Sequence, residues 1–144
     1  MSRIFVSQGT GAAVYVFSND HCPAHVHARH RGNGWIARIR FSYLISAVEL
    51  MSLTPAKSIP SQHVVNSLIA DVQERLADCR RTWWTNMRTT CLANQWAIVV
   101  APGKIELVSD RTQSARQIVD ANYEPDSKRL RVEFQRGAKE EVQL

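Results

Sequence analysis

The sequence predicts an α+β fold: an antiparallel N-terminal sheet packed on one long amphipathic helix, with a C-terminal β-strand module. Three observations predict it. Short apolar or alternating runs fill residues 12–53. Between Ser61 and about Met87 the apolar residues recur at three- and four-residue steps. After Gln95 short strand-like runs return, separated by Pro- and Gly-containing turns.

Ala12 to Phe17 is a continuous apolar run with Val, Tyr and Phe, as in a strand buried on both faces. His25 to His30 alternates, and so does Trp35 to Tyr43. Arg31-Gly-Asn-Gly34 between them is hairpin chemistry. Ile45 to Leu53 forms a further strand that ends before Thr54-Pro55. The helix carries Val65, Leu68, Ile69, Val72, Leu76, Cys79 and Trp83 on one stripe, with Ser58 or Ser61 as its start signal. Such a stripe covers a sheet. Gln95 to Val100 and Lys104 to Val108 flank Ala-Pro-Gly and pair. Gln117 to Tyr123, Arg129 to Gln135 and Lys139 to Leu144 complete the tail. Residues 1–92 are read as the sheet-plus-helix domain. Residues 93–144 are read as a small β-rich module, separate or completing the same sheet.

The chain has 144 residues, enough to bury a core without staples, and its 44% hydrophobic and 22% charged content is globular. Cys22, Cys79 and Cys91 are odd in number, form no Cys-x-x-Cys and suggest no disulfide framework. Reduced thiols in a cytosol are the expectation. Met1 to Phe17 has no apolar segment behind a basic one, and no run reaches membrane-spanning length, so a cytoplasmic protein without a membrane partner is expected. Net charge is +5, and residues 1–60 hold six Lys/Arg against two Asp/Glu, whereas residues 101–144 hold eight of each. A basic excess near the N-terminus favours anionic partners.

That half also holds four of the five histidines, within Asn19 to His30. On a strand, His25, His27 and Arg29 point to one face and Ala24, Val26 and Ala28 to the other. A hairpin must put both apolar faces on the same side, which forces odd register sums, and a four-residue loop then gives His27 opposite Arg38 and His25 opposite Arg40. The expectation is a polar sheet face of two imidazoles among three guanidiniums. Candidate residues for contact with an anion, nucleic acid or partner are His21, His25, His27, Arg29, His30, Arg31, Arg38 and Arg40. Arginine forks suit phosphate oxygens, and imidazoles exchange protons near neutrality. If there is catalysis, His25 and His27 are its candidates, and the chemistry they suit is ribonuclease-like.

A second reading makes His21, His25 and His27 metal ligands, with His21 or Asp20 completing the His-x-His pair. The neighbouring arginines oppose a cation, and the sequence shows no carboxylate on that face, so no cofactor is expected beyond that exception. A third reading is structural: Asn19-Asp20-His21 as turn residues, with Pro23 fixing the turn. No dinucleotide loop, P-loop, His-Glu-x-x-His or Gly-x-Ser-x-Gly occurs.

The run Tyr15-Val-Phe-Ser-Asn-Asp-His-Cys-Pro-Ala-His-Val-His-Ala28 resembles the signature of an uncharacterised bacterial family, the domain-of-unknown-function 4160 family. Its usual form is Phe-Asn-Asp-His-x-Pro-Pro-His-Phe-His. The resemblance spans about residues 14–88, with Ala24 and Val26 as departures and a longer linker before the helix. It implies a small α+β domain encoded beside, or fused to, a second small domain in toxin–antitoxin-like pairs. The tail from Ile118 resembles that partner, the domain-of-unknown-function 2442 family. Neither family brings an established activity. The resulting expectation is a toxin–antitoxin-like or mobile-element protein that binds RNA, DNA or a ribonucleoprotein through its His/Arg face. The alternatives are a non-enzymatic, anti-CRISPR-like inhibitor of a bacterial defence complex and a metal-dependent enzyme.

Overall fold

Strand pairing dominates the molecule. The computed structural model describes residues 1–55, 57–109 and 111–144. Its first sheet is a five-stranded antiparallel meander: β1 (Ser2–Val6), β2 (Ala13–Val16), β3 (His25–Arg29), β4 (Ile36–Arg40) and β5 (Glu49–Thr54), paired in that order. Two helices follow, α1 (Gln62–Glu74) and α2 (Leu76–Met87). The second sheet contains β6 (Trp96–Ala101), β7 (Lys104–Val108), β8 (Arg116–Glu124), β9 (Arg129–Phe134) and β10 (Lys139–Gln143), in the spatial order β10-β9-β8-β6-β7.

The expected fold, one sheet on one long helix, is therefore corrected to two five-stranded sheets with two short helices. The expected helix breaks at Arg75, whose φ of −101° and ψ of 24° leave the helical region. The Arg75 guanidinium lies 4.9 Å from the Phe5 ring and its Nε donates to Asp78. The apolar spacing survives the break because Val72 and Leu76, on either side of it, both stay buried. Periodicity reports which residues face inward; it does not register a single non-helical residue between them. Strand β1 was not anticipated, since five residues at a sheet edge show too little alternation to stand out.

The β3–β4 register follows from the hydrophobic pattern. Val26, Ala28, Ala37 and Ile39 are almost wholly buried, and this alignment sets His27 opposite Arg38 and His25 opposite Arg40. The helices tie to sheet 1 at several points. Asp71 accepts from Ser7 Oγ at 2.5 Å and from the Gly9 amide at 3.1 Å. Tyr43 donates to the Arg80 carbonyl at 2.6 Å, and Arg80 returns two bonds to the Ser42 carbonyl. The two sheets share one core: Tyr43 and Tyr123 lie 5.0 Å apart, and Thr90 donates to the Ala121 carbonyl at 3.0 Å.

The cysteines depart from expectation. Cys22 and Cys91 form a disulfide across 69 residues of chain, with Cα atoms 5.5 Å apart, and only Cys79 keeps a free thiol. The spacing could not show this, because the two cysteines meet through tertiary packing. The bond also removes the reduced-thiol argument for a cytosolic location. No helix among the described residues is long and apolar enough to cross a membrane.

Candidate functional site

The loop from Phe17 to Ala24 carries Asp20 back under the start of β3. The Phe17 amide donates to Asp20 Oδ2 at 2.8 Å, which anchors the carboxylate and leaves Oδ1 turned toward β3. There Oδ1 lies 3.0 Å from His27 Nε2 and 3.4 Å from His25 Nε2. The ligand-type atoms of Asp20, His25 and His27 all lie within 4.8 Å of one another. The Asp20 side chain is 8% exposed, that of His25 2% and that of His27 12%.

The His25 tautomer follows from its partner. Nδ1 lies 2.7 Å from the Pro23 carbonyl oxygen, which can only accept. Nδ1 therefore carries the hydrogen, and in the neutral ring Nε2 presents a bare lone pair to Asp20. Burial holds His25 below its ordinary value despite the Pro23 bond and the Asp20 charge, which act the other way. His27 sits between aromatic rings, stacked on Tyr15 at 5.5 Å and edge-on to Phe17 at 4.7 Å. Trp83 lies 5.5 Å from the His25 ring.

The other expected residues are placed as follows. His21 is exposed, its ring 6.2 Å from that of His25, outside the three-residue cluster. His30 belongs to the hairpin turn, where Nδ1 accepts from the Asn33 amide at 3.0 Å and the ring stacks on Trp35. Arg31 is exposed in the same turn, at the far end of β3 from His25. Arg40 pairs with Glu49. Arg38 donates Nε to Ser52 Oγ at 2.8 Å, and Arg29 is exposed on the His27 side of β3.

The face is thus not an open field of imidazoles and guanidiniums. It holds a carboxylate that strand parity could not supply, because Asp20 arrives from a loop. The Asn-Asp-His turn next to the His-x-His strand was the only available signal. A cleft of about 570 Å³ lies between the sheets, bounded by Ala24 and Phe41 on one side and Leu92 and Leu107 on the other. None of the three cluster residues lines it.

No family model, curated protein or solved structure matches the chain.

Proposed function

We propose that this protein binds a divalent transition-metal ion through Asp20, His25 and His27, and that an anionic ligand, with nucleic acid as the leading partner class, meets the ion at its arginine-bearing side. The observation that carries the reading is the contact between Asp20 Oδ1 and the bare Nε2 of His25. A hydrogen bond accounts for the 3.0 Å contact of His27, but not for His25. His25 could donate from Nε2 only as a cation, which its burial opposes. A shared cation resolves the meeting of two electron-pair donors.

The two distances from Asp20 Oδ1, 3.0 and 3.4 Å, suit such an ion. Two ligands about 2.1 Å from a common ion, at about 90–110° to each other, are about 3.0–3.4 Å apart. The Nδ1 bond to Pro23 is the outer contact that fixes metal-ligating histidines. Two imidazoles and one carboxylate are a donor set for zinc, iron(II), manganese or cobalt, with positions left for a further ligand. Asp20 also answers the objection that the arginines stand unopposed. With Arg40 paired to Glu49 and Arg38 tied to Ser52, Arg29 is the most available cation beside His27. A phosphate or carboxylate drawn there would complete the coordination. The inhibitor alternative is favoured by no feature of this cluster, whose groups are too buried to offer a large partner much surface.

The test uses protein stripped with a chelator and titrated with cobalt(II), zinc or manganese, read by calorimetry and by the cobalt absorption spectrum. Saturation at one ion per chain is expected. Asp20→Asn and His27→Gln should each weaken binding at least about tenfold, with the circular dichroism of the fold unchanged. Absence of saturable binding, or parental affinity in both variants, would overturn the proposal.

A further inference from the structure

The tail holds eight acidic and eight basic residues, and the fold brings three of the basic ones to one cleft. Four of its eight carboxylates are engaged away from that cleft: Glu141 with Arg131, Glu140 with the Gly103 amide, Asp126 with Arg81, and Asp120 with the Ala121 amide. The cleft they leave, about 430 Å³, lies where β6, β8 and the β9–β10 turn meet. Arg111, Arg116 and Arg136 line it and, among the described residues, no carboxylate does. Its size falls in the range of small-molecule sites, roughly 300–1,000 Å³.

Its parts have distinct geometry. The Arg111 guanidinium lies 5.5 Å from the Trp96 ring, a cationic plane supported by an indole. Arg116 begins β8 and sits opposite Ala97 of β6. Neither Arg116 nor Arg136 forms an ion pair among the described residues. On the floor, Gln135 donates to Gln117 Oε1 at 2.8 Å.

Arg136 supplies a separate observation. Its φ is +68° and that of Gly137 is +83°, two successive left-handed residues between β9 and β10. Turns of this kind favour Asn, Asp or Gly first, and a long side chain there is strained. Strain of this sort is retained where a side chain is needed for function. At this turn it places a guanidinium on the cleft.

We propose that this cleft is a binding site for a nucleoside phosphate, with Arg116 and Arg136 receiving the phosphates and the Arg111–Trp96 stack receiving the base. Arginine forks match phosphate oxygens, and bases stack on guanidinium planes as well as on aromatic rings. The same chemistry occurs in a free nucleotide and at the 5′-phosphorylated end of an RNA. The site is separate from the Asp20 cluster and does not depend on a metal there.

The experiment is calorimetric titration of chelator-treated protein with ADP, adenosine, inorganic phosphate and a 5′-phosphorylated tetranucleotide. ADP or the tetranucleotide should bind at least tenfold more tightly than adenosine or phosphate, and the tighter of the two identifies the source. Affinity should fall as salt rises. Arg136→Gly is the decisive variant, because glycine suits the turn: its melting temperature should hold or rise while affinity drops at least tenfold. Arg116→Gln should lose affinity similarly, and Asp20→Asn should bind as the parent does. If no nucleotide outcompetes phosphate, or if Arg136→Gly and Arg116→Gln bind normally, the site does not exist.

Discussion

Asp20 and Cys79 show how much one side chain depends on its surroundings. Asp20 is the only carboxylate in the first 48 residues, yet it stands beside two of the five histidines. The sequence offered it both as a turn residue and as one of two candidates to complete the His-x-His pair, since nothing local specifies that the loop folds back under β3. Cys79 is wholly buried on α2, and desolvation pushes its thiol up to about 12. The thiolate that reacts with alkylating or disulfide reagents is therefore scarce at neutral pH, and access is blocked. Thiol counting should find none in the native oxidised protein, one after unfolding, and three after unfolding with reductant. One reactive thiol in the native state would contradict the burial of Cys79, and three after unfolding without reductant would contradict the disulfide.

At the scale of elements, alternation and caps were readable because they act over a few residues. Val26, Ala28, Ala37 and Ile39 specify which face of the β3–β4 hairpin is buried, and the cross-strand pairs follow. Ser61 was among the start signals for the helix, and its Oγ accepts from the Val64 amide at 3.2 Å. Ser61→Ala should therefore cost about 1 kcal/mol. Thermal melting should register this as a fall of about 2–4 °C; an unchanged melting temperature would show that water replaces the cap fully. The break at Arg75 was not legible, because a stripe of buried residues is the same on one bent path as on one straight one.

Over the whole molecule, the Cys22–Cys91 disulfide joins the Asp20 loop to the segment that enters the second sheet. Closing so long a loop restricts the unfolded chain, and its removal should cost about 2–4 kcal/mol. Because Cys22 is two residues from Asp20, the Cys22→Ser/Cys91→Ser double variant should also bind metal more weakly, by cobalt titration. Equal metal affinity with lowered stability would mean that the Phe17 amide alone holds Asp20 in place. Tyr43–Tyr123 and Thr90–Ala121 contacts belong to the shared core that couples the two sheets.

The sequence alone determined the strand-rich character of both halves, the buried stripe later split between α1 and α2, and the parity that puts His25 and His27 on the side of Arg38 and Arg40. These are local properties: side-chain direction repeats with the backbone, every two residues on a strand and every 3.6 on a helix. Tertiary structure alone decided that Asp20 meets the two histidines, that Cys22 finds Cys91, and that Arg111, Arg116 and Arg136 line one cleft. Each of these needs a loop to follow one path among many, selected by the packing of a shared core whose contacts are far apart in the chain.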